Sequence, residues 1–179
     1  MAVTGHPITV QVAGRVLEAG GNAIDAGVSA ALATNVVQVD MCNLGGIAPI
    51  LIRPTGAEVV SVAGIGRWSS TATIETYVGR HGTEIPPGCA PCIVPGALAG
   101  WLSALEAFGT WSFADVAAPA VELATEGSVL DATVATGLDM FAWVYEQWPS
   151  SAAIYCPGSR RAQPGDRLVR TAARTPDRG

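Results

Sequence analysis

The chain has 179 residues, of which 49% are hydrophobic and only 14% are charged, and its net charge at pH 7 is −5. This length suits a single domain, and high hydrophobicity with low charge excludes an intrinsically disordered protein. An acidic chain also lacks the clustered positive charge that binds phosphates, so a nucleic-acid partner is excluded. Because a typical soluble chain is about 25% charged, we expect part of the apolar surface to meet further protein.

The N-terminus carries no recognisable export signal. Residues 1–7 contain neither the basic stretch nor the apolar stretch of a secretory leader, which predicts a cytoplasmic location. The longest charge-free run, residues 85–105, contains four prolines, which would break a membrane-spanning helix. We therefore expect a loop and the start of a buried helix in this run, and no membrane partner.

The first predicted helix covers residues 7–19. Proline is favoured at the first position of a helix, and Pro7 stands there. Apolar residues recur at a spacing of four along the segment: Ile8, Val12 and Val16. The pair Gly20–Gly21 ends this helix, since glycine readily adopts the left-handed backbone found at helix C-termini.

The second predicted helix covers residues 23–35 and is rich in alanine. Asn22 precedes it and can cap it through its side-chain oxygen. Small residues on nearly every face indicate close packing on several sides, so we expect this helix to be interior. Its single charge, Asp25, lies in the first turn, where a carboxylate caps the helix and interacts favourably with the helix dipole.

A β-hairpin is predicted after a loop that covers residues 41–46 and ends in Gly45–Gly46. The two strands cover residues 47–53 and 57–63, and the second is rich in β-branched valine. The connection Pro54–Thr55–Gly56 has the composition of a hairpin turn. The glycine pair before the first strand favours a tight turn and leaves room for a close approach of the backbone.

Two helices are predicted in the middle of the chain, a short one over residues 73–79 and a stronger one over residues 95–108. The second has an apolar stripe and ends at Gly109; the stripe consists of Leu98, Trp101, Leu102 and Leu105. A further helix begins at Ser112, whose pairing with Asp115 resembles a capping box, and continues to about Glu126. Pro119 is expected to break or kink it.

The last predicted helix covers residues 131–147, where an apolar stripe recurs at helical spacing: Val134, Leu138, Phe141 and Tyr145. The chain from Trp148 onwards is expected to be rich in turns. Six arginines fall in this last part, in a stretch that contains proline and glycine. They favour a solvated tail and are Arg160, Arg161, Arg167, Arg170, Arg174 and Arg178.

Cys89 and Cys92 form a C-x-x-C motif, which is compatible with a redox pair or with half of a metal site. However, the motif lies in a loop rich in proline and glycine, whereas a thioredoxin-type pair opens a helix after a strand. The two histidines, His6 and His81, are isolated. We therefore favour incidental reduced thiols and expect neither a metal nor a cofactor, with a thiol-redox or metal module as an alternative.

Four sequence blocks occur in an order that identifies a family. They are residues 5–7 with 16–26, Gly45–Gly46 before the strand pair, residues 94–101 (VPGALAGW) continuing to 108–110, and residues 118–127. The turn at residues 164–166 adds to them. Each block alone is modest, but four in order are specific. The chain resembles the γ-glutamyltransferase (γ-glutamyltranspeptidase) family from about residue 5 to residue 170.

This resemblance implies an N-terminal-nucleophile hydrolase, whose precursor cleaves itself into a large and a small subunit. The new N-terminal threonine of the small subunit attacks a γ-glutamyl amide such as glutathione, and water or an amino acid accepts the acyl group. The chain resembles the N-terminal part of the large subunit, over residues 1–170. The implied fold is a helix-dominated α+β fragment with a β-hairpin, part of an αββα sandwich. Residues 171–179 are expected to form a divergent, disordered tail.

The threonine-headed cleavage site of the family does not occur in these 179 residues. The resemblance therefore implies no catalytic residue in this chain and a small-subunit partner that carries the nucleophile. We expect the chain to be inactive alone towards its small-molecule amide substrate. A non-catalytic remnant that binds a partner is the second interpretation.

One substrate contact is implied by the resemblance. The family places an arginine just after the second strand, where it grips the glutamyl α-carboxylate, and Arg67 stands there. A guanidinium binds a carboxylate through two parallel hydrogen bonds. The following residues, Trp68–Ser69–Ser70, differ from the family's Glu and Ala-Pro, which suits an amidase-like relative acting on another acyl group. A surface arginine packed against Trp68 is the alternative.

Overall fold

The computed structural model describes residues 1–156 and 159–170. Helices are the dominant regular secondary structure in this part, with two short antiparallel strand pairs, which confirms the predicted α+β class. The chain divides into two compact units, one formed by Met1–Asn43 with Phe108–Gly179 and the other by Leu44–Ala107. The disordered tail predicted for residues 171–179 lies outside the described residues.

The first unit is built around two capped helices that match the predicted ones. Helix α1 covers Pro7–Glu18 and begins at His6, whose Nδ1 accepts a hydrogen bond from the Ile8 N–H. Helix α2 covers Ala23–Val37 and packs against both α1 and the later helix α5 (Phe113–Glu126). Its residues are buried around most of its circumference, which confirms the interior position that its alanines predict.

Of the break or kink predicted at Pro119, the break does not occur, because α5 continues through this residue from Phe113 to Glu126. A proline inside a helix removes one backbone hydrogen bond. Helix α5 buries Val116 and Ala120 on the two sides of the proline in sequence, and it packs against α2. This packing offsets the lost bond and keeps the helix whole. Ser112 caps α5 by accepting from the Asp115 N–H, as expected.

The single helix predicted for residues 131–147 is also wrong. The structure has α6 over Ala132–Met140 and α7 over Ala142–Tyr145, divided at Phe141, whose backbone leaves the helical region. Phe141 is 44% exposed, so the apolar stripe that favoured one helix is not buried at this point. A further helix, α8, covers Pro149–Tyr155, where turns were expected. Its proline stands at a first helical position, a signal that the prediction did not use.

Of the arginines predicted to form a solvated tail, Arg167 and Arg170 contact the fold, whereas Arg174 and Arg178 lie outside the described residues. Two-residue strands β3 (Ser128–Val129) and β4 (Arg167–Leu168) pair antiparallel. The Arg167 guanidinium donates to the carbonyls of Glu126 and Gly127, at 3.1 and 2.8 Å. The last carbonyls of a helix have no partner within the helix, so an arginine at the end of α5 satisfies them. The backbone N–H of Arg170 donates to another carbonyl of α5, that of Ala124, at 2.9 Å.

The second unit contains the predicted hairpin. Strand β1 (Ile50–Ile52) pairs antiparallel with β2 (Val60–Val62), with Ile50 opposite Val62. Both strands are shorter than predicted, although a hydrogen bond of 2.9 Å from the Ala48 N–H to the Gly64 carbonyl extends the pairing. Helix α3 covers Ile74–His81 and is capped by Thr73.

Helix α4 covers Ala97–Phe108, but its buried face differs from the predicted stripe. The buried residues are mostly small: Ala97, Gly100, Trp101, Ala104 and Leu105. Leu102 is 40% exposed. A Cβ on Gly100 would lie 2.8 Å from the Cα of Gly64, so a close backbone approach selects the small residues here. Within the described residues, no helix has the length and apolarity that crossing a bilayer requires.

Candidate functional site

Arg67 lies in the second unit, on the segment that leaves β2. Its carbonyl accepts a hydrogen bond of 3.0 Å from the Val94 N–H, so the backbone at this residue is fixed by a second segment. The side chain is exposed. Among the described residues, no acidic side chain forms a salt bridge with it. An exposed guanidinium on a fixed backbone can bind a ligand carboxylate through two parallel hydrogen bonds.

Glycines allow three backbone segments to meet beside Arg67. A Cβ added to Gly66 would lie 1.5 Å from the Val94 carbonyl oxygen, and one added to Gly96 would lie 2.6 Å from the Gly66 nitrogen. Gly64 has a φ of +51°, and a Cβ there would lie 2.0 Å from the Ala48 carbonyl oxygen. No residue with a side chain fits these positions without movement of the backbone. The glycines therefore determine where the Arg67 side chain begins.

Replacing Gly66 by alanine is expected to destabilise the second unit by about 2–3 kcal/mol, because the new methyl group overlaps the Val94 carbonyl and the backbone has to move. Chemical denaturation followed by circular dichroism measures this loss. The matched control is Gly79→Ala in α3, where nothing lies within 4 Å. That control should be neutral or slightly stabilising, since alanine favours the helix. Equal stability of the two variants would contradict the close approach.

An open apolar groove of about 430 Å³ begins at the residue after Arg67. Trp68, which is 54% exposed, lines it together with residues of α3 and of the proline-rich loop. These further residues are mainly apolar and include Ile74, Tyr77, Val78, Ile85 and Pro91. The resemblance implies a glutamate directly after Arg67. Trp68 stands there instead, and it carries no charge and contributes to an apolar surface.

The glycine pair Gly45–Gly46 supports the start of α4. The Gly46 carbonyl accepts hydrogen bonds from the Gly96 and Ala97 N–H groups, at 3.2 and 3.1 Å. These N–H groups stand at the helix N-terminus, where donors have no partner within the helix. The backbone of Gly46 therefore approaches the start of α4 closely and anchors it. The glycine pair and α4 lie in the same unit as Arg67.

Cys89 and Cys92 are exposed and lie in a turn, with the Cys92 N–H donating to the Cys89 carbonyl at 3.1 Å. The next helix, α4, begins only at Ala97. The motif therefore does not open a helix, as a thioredoxin-type pair does. The described residues contain no group of three or more metal-ligating side chains.

Asp25, in the first unit, joins the start of α2 to the segment that contains Thr110 and Trp111. Its carboxylate accepts hydrogen bonds from the N–H groups of Asn22, Thr110 and Trp111, at 2.8, 2.9 and 3.1 Å, and from the Thr110 hydroxyl at 2.6 Å. The side chain is 0% exposed. Burial acts to raise its pKa, but the hydrogen bonds from Thr110, Asn22 and Trp111 outweigh it and lower the pKa below 3.8. The predicted capping role is confirmed, and the Thr110 and Trp111 contacts are additional.

His6 and Asp131 lie together in the first unit, a contact that the sequence analysis did not predict. The His6 Nε2 is 3.4 Å from the Asp131 Oδ2, and His6 is buried. The Nδ1 of His6 accepts from Ile8, so the proton of the neutral ring sits on Nε2 and faces Asp131. Asp131 also caps α6 by accepting from the Val134 N–H. The pair therefore joins the starts of α1 and α6, a structural role that only the position of His6 directly before a helical proline could have indicated.

Comparisons with known proteins match nearly the whole chain. The family model described as gamma-glutamyltranspeptidase matches residues 9–175. The acylase ACY 1 proenzyme of Pseudomonas sp. (strain SE83) is 33% identical over 181 residues, covering 96% of this chain and 32% of its own length. The oxamate amidohydrolase proenzyme of Klebsiella pneumoniae subsp. pneumoniae is 39% identical over 107 residues, covering 59% of this chain and 20% of its own length.

The fold matches the family as well. The crystal structure of Helicobacter pylori gamma-glutamyltranspeptidase superposes with a TM-score of 0.89 at 28% identity, covering 95% of this chain and 50% of that chain. The chain spans about a third of the length of the acylase proenzyme. As its ordered motifs predicted, the chain belongs to the γ-glutamyltranspeptidase family and corresponds to the N-terminal region of the large subunit.

Proposed function

We propose that residues 1–170 form the N-terminal part of the large subunit of an enzyme that hydrolyses or transfers the acyl group of small-molecule amides. The observation that carries this proposal is Arg67, an exposed arginine on a fixed backbone after β2 in a chain of this family. The family match favours neither a non-catalytic remnant nor a thiol module. The proposed partner is a small subunit that carries an N-terminal threonine.

In this mechanism, the chain binds the substrate and the small subunit attacks it. The threonine hydroxyl adds to the amide carbonyl, with the threonine α-amine taking its proton, and the amine leaves with a proton to give an acyl-enzyme. Water or an amino acid then takes the acyl group and frees the threonine. Arg67 holds a carboxylate at the far end of the acyl group, which fixes the distance from this carboxylate to the scissile bond.

We further propose that the acyl group is a dicarboxylic one without the α-ammonium of a glutamyl group. A carboxylate beside the arginine, as in the family's Glu, would complement a positive charge, and Trp68 offers none. One relative carries a name that fits such a specificity, the oxamate amidohydrolase, since oxamate is an amide with a carboxylate and no ammonium. γ-Glutamyl amides, including glutathione, remain substrates in this proposal but are used less efficiently.

The test uses the enzyme assembled with its small subunit and three p-nitroanilides. The glutaryl and γ-glutamyl compounds differ only by the α-ammonium, and the pentanoyl compound lacks the carboxylate. We expect the glutaryl anilide to be hydrolysed with the highest kcat/KM and the pentanoyl anilide with the lowest. Equal rates for the glutaryl and pentanoyl compounds would exclude binding of the substrate carboxylate by Arg67. Failure to cleave any of the three would exclude the proposed activity.

A further inference from the structure

The exposed pair Cys89 and Cys92 is not used by the proposed reaction, and its geometry is favourable for a bond between the two sulfurs. The hydrogen bond from the Cys92 N–H to the Cys89 carbonyl, at 3.1 Å, closes a four-residue turn. Such a turn holds its first and fourth Cα atoms within about 7 Å. A disulfide spans Cα separations of about 4.4–6.8 Å. The backbone therefore already has a separation close to what a disulfide needs.

The thiol of Cys92 is directed back over the turn. Its Sγ donates to the Gly88 carbonyl at 3.4 Å, so the sulfur turns back towards the residue that precedes Cys89. Both side chains are exposed and both cysteines are reduced. Closure would therefore join two exposed thiols whose backbones are already held in one turn.

The other two cysteines of the chain are poor competitors for reaction with a small disulfide. Cys156 is buried and Cys42 is partly buried, and both belong to the other unit. Burial raises the pKa of each thiol, with Asp40 adding to the effect at Cys42 and Glu146 at Cys156. A higher pKa leaves less of the reactive thiolate at neutral pH.

We propose that Cys89 and Cys92 form a thiol-modification site that closes to an intramolecular disulfide on reaction with low-molecular-weight disulfides. One cysteine thiolate attacks the small disulfide, forms a mixed disulfide and releases one small thiol. The second cysteine thiolate then attacks the cysteine sulfur of the mixed disulfide and releases the other small thiol. Two protein thiols are oxidised, and one small disulfide is reduced to two thiols.

Closure acts on the segment that supports Arg67. Val94, two residues after Cys92, donates its N–H to the Arg67 carbonyl at 3.0 Å, and its own carbonyl lies against Gly66. A covalent ring that ends at Cys92 restricts the backbone that leads into this contact. The oxidised chain should therefore hold the Val94 N–H in its hydrogen bond for longer than the reduced chain. This inference does not depend on the proposed enzymatic activity.

The test treats the 179-residue chain with oxidised glutathione and then counts thiols in denaturant. We expect the count to fall from four to two, with a mass lower by two hydrogen atoms and full recovery after dithiothreitol. The double variant Cys42→Ser with Cys156→Ser should close in the same way. Cys89→Ser and Cys92→Ser should each retain glutathione as a mixed disulfide. Hydrogen exchange at Val94 should slow on oxidation in the wild type and stay unchanged in Cys89→Ser.

Two results would overturn the proposal. One is a wild-type chain that accumulates a glutathione adduct without losing two hydrogen atoms, which would mean that the turn keeps the thiols apart. The other is a thiol count that stays at four at a large excess of oxidised glutathione. Unchanged exchange at Val94 in the closed form would remove the link to Arg67.

Discussion

Asp25→Ala should cost about 4 kcal/mol of folding free energy, more than the loss expected for Gly66→Ala. The variant removes a buried carboxylate that accepts from three backbone N–H groups and one hydroxyl. Hydrogen bonds to a charged group contribute about 1.5–3 kcal/mol each, and donors left unsatisfied in the interior add a further cost. Urea denaturation followed by circular dichroism measures the change.

The matched control is Asp115→Ala. Asp115 stands at the third position of α5, as Asp25 does in α2, but it is exposed and accepts only from the neighbouring Ser112 hydroxyl. Asp115→Ala should therefore lose much less folding free energy than Asp25→Ala. If the two variants lost similar stability, Asp25 would be an ordinary capping residue and the contacts with Thr110 and Trp111 would carry little energy.

Acid should reduce the contribution of Asp25. Its pKa in the folded chain lies below the ordinary value of 3.8, so the folded state favours the carboxylate. This stabilisation is complete only above about pH 5 and is lost progressively as the pH falls through the ordinary and then the lowered pKa. The difference in unfolding free energy between wild type and Asp25→Ala should therefore shrink below about pH 5. A difference that stays constant to lower pH would contradict this assignment.

Arg67→Ala is expected to have the largest effect on function. In the enzyme assembled with its small subunit, it should raise KM for glutaryl p-nitroanilide about 100-fold, with a much smaller change in kcat. A charge-assisted bidentate contact of about 3 kcal/mol corresponds to that factor. An effect on KM alone is typical of an interaction that is equal in the ground state and the transition state. Steady-state kinetics with the purified variant measure both parameters.

Two controls separate carboxylate binding from a structural effect. Arg53→Ala removes another exposed arginine of the same unit, just after β1, and should leave KM unchanged. The pentanoyl anilide has no carboxylate, so its slow hydrolysis should be the same in wild type and Arg67→Ala. If Arg67→Ala left KM for the glutaryl anilide unchanged, Arg67 would be a surface residue without a role in substrate binding.

Local signals predicted the helices well, because a helix begins and ends through contacts between close neighbours. Asn22 and Asp25 are three residues apart, and their capping box is visible in the sequence. The contacts from Asp25 to Thr110 and Trp111 join residues 85 and 86 positions apart. No pattern of spacing reports such contacts, so the energetic weight of Asp25 became clear only from the fold.

Errors occurred where tertiary packing outweighed local propensity. Pro119 stays inside a helix that is held by the burial of Val116 and Ala120. Arg167 folds back because the end of α5 offers free carbonyl groups. The two-residue strands β3 and β4 are too short to produce an alternating pattern, and only their pairing identifies them.

The candidate site was predictable in part. The position of Arg67 followed from the family resemblance, and its exposure and fixed backbone are new from the structure. The reason for the surrounding glycines could not be predicted, since Gly66 and Val94 are distant in sequence and meet only through their backbones. Whether Arg67 binds a substrate carboxylate remains a prediction until the variant is measured.

The most direct test of the central claim is the turnover of amides by the purified 179-residue chain without any other subunit. In the proposed function, Arg67 of this chain binds the substrate carboxylate, and the attacking threonine belongs to the small subunit. We therefore expect the isolated chain to release no p-nitroaniline above the blank from either the glutaryl or the γ-glutamyl anilide. Release above the blank that a single threonine or serine substitution in the chain abolishes would contradict the account.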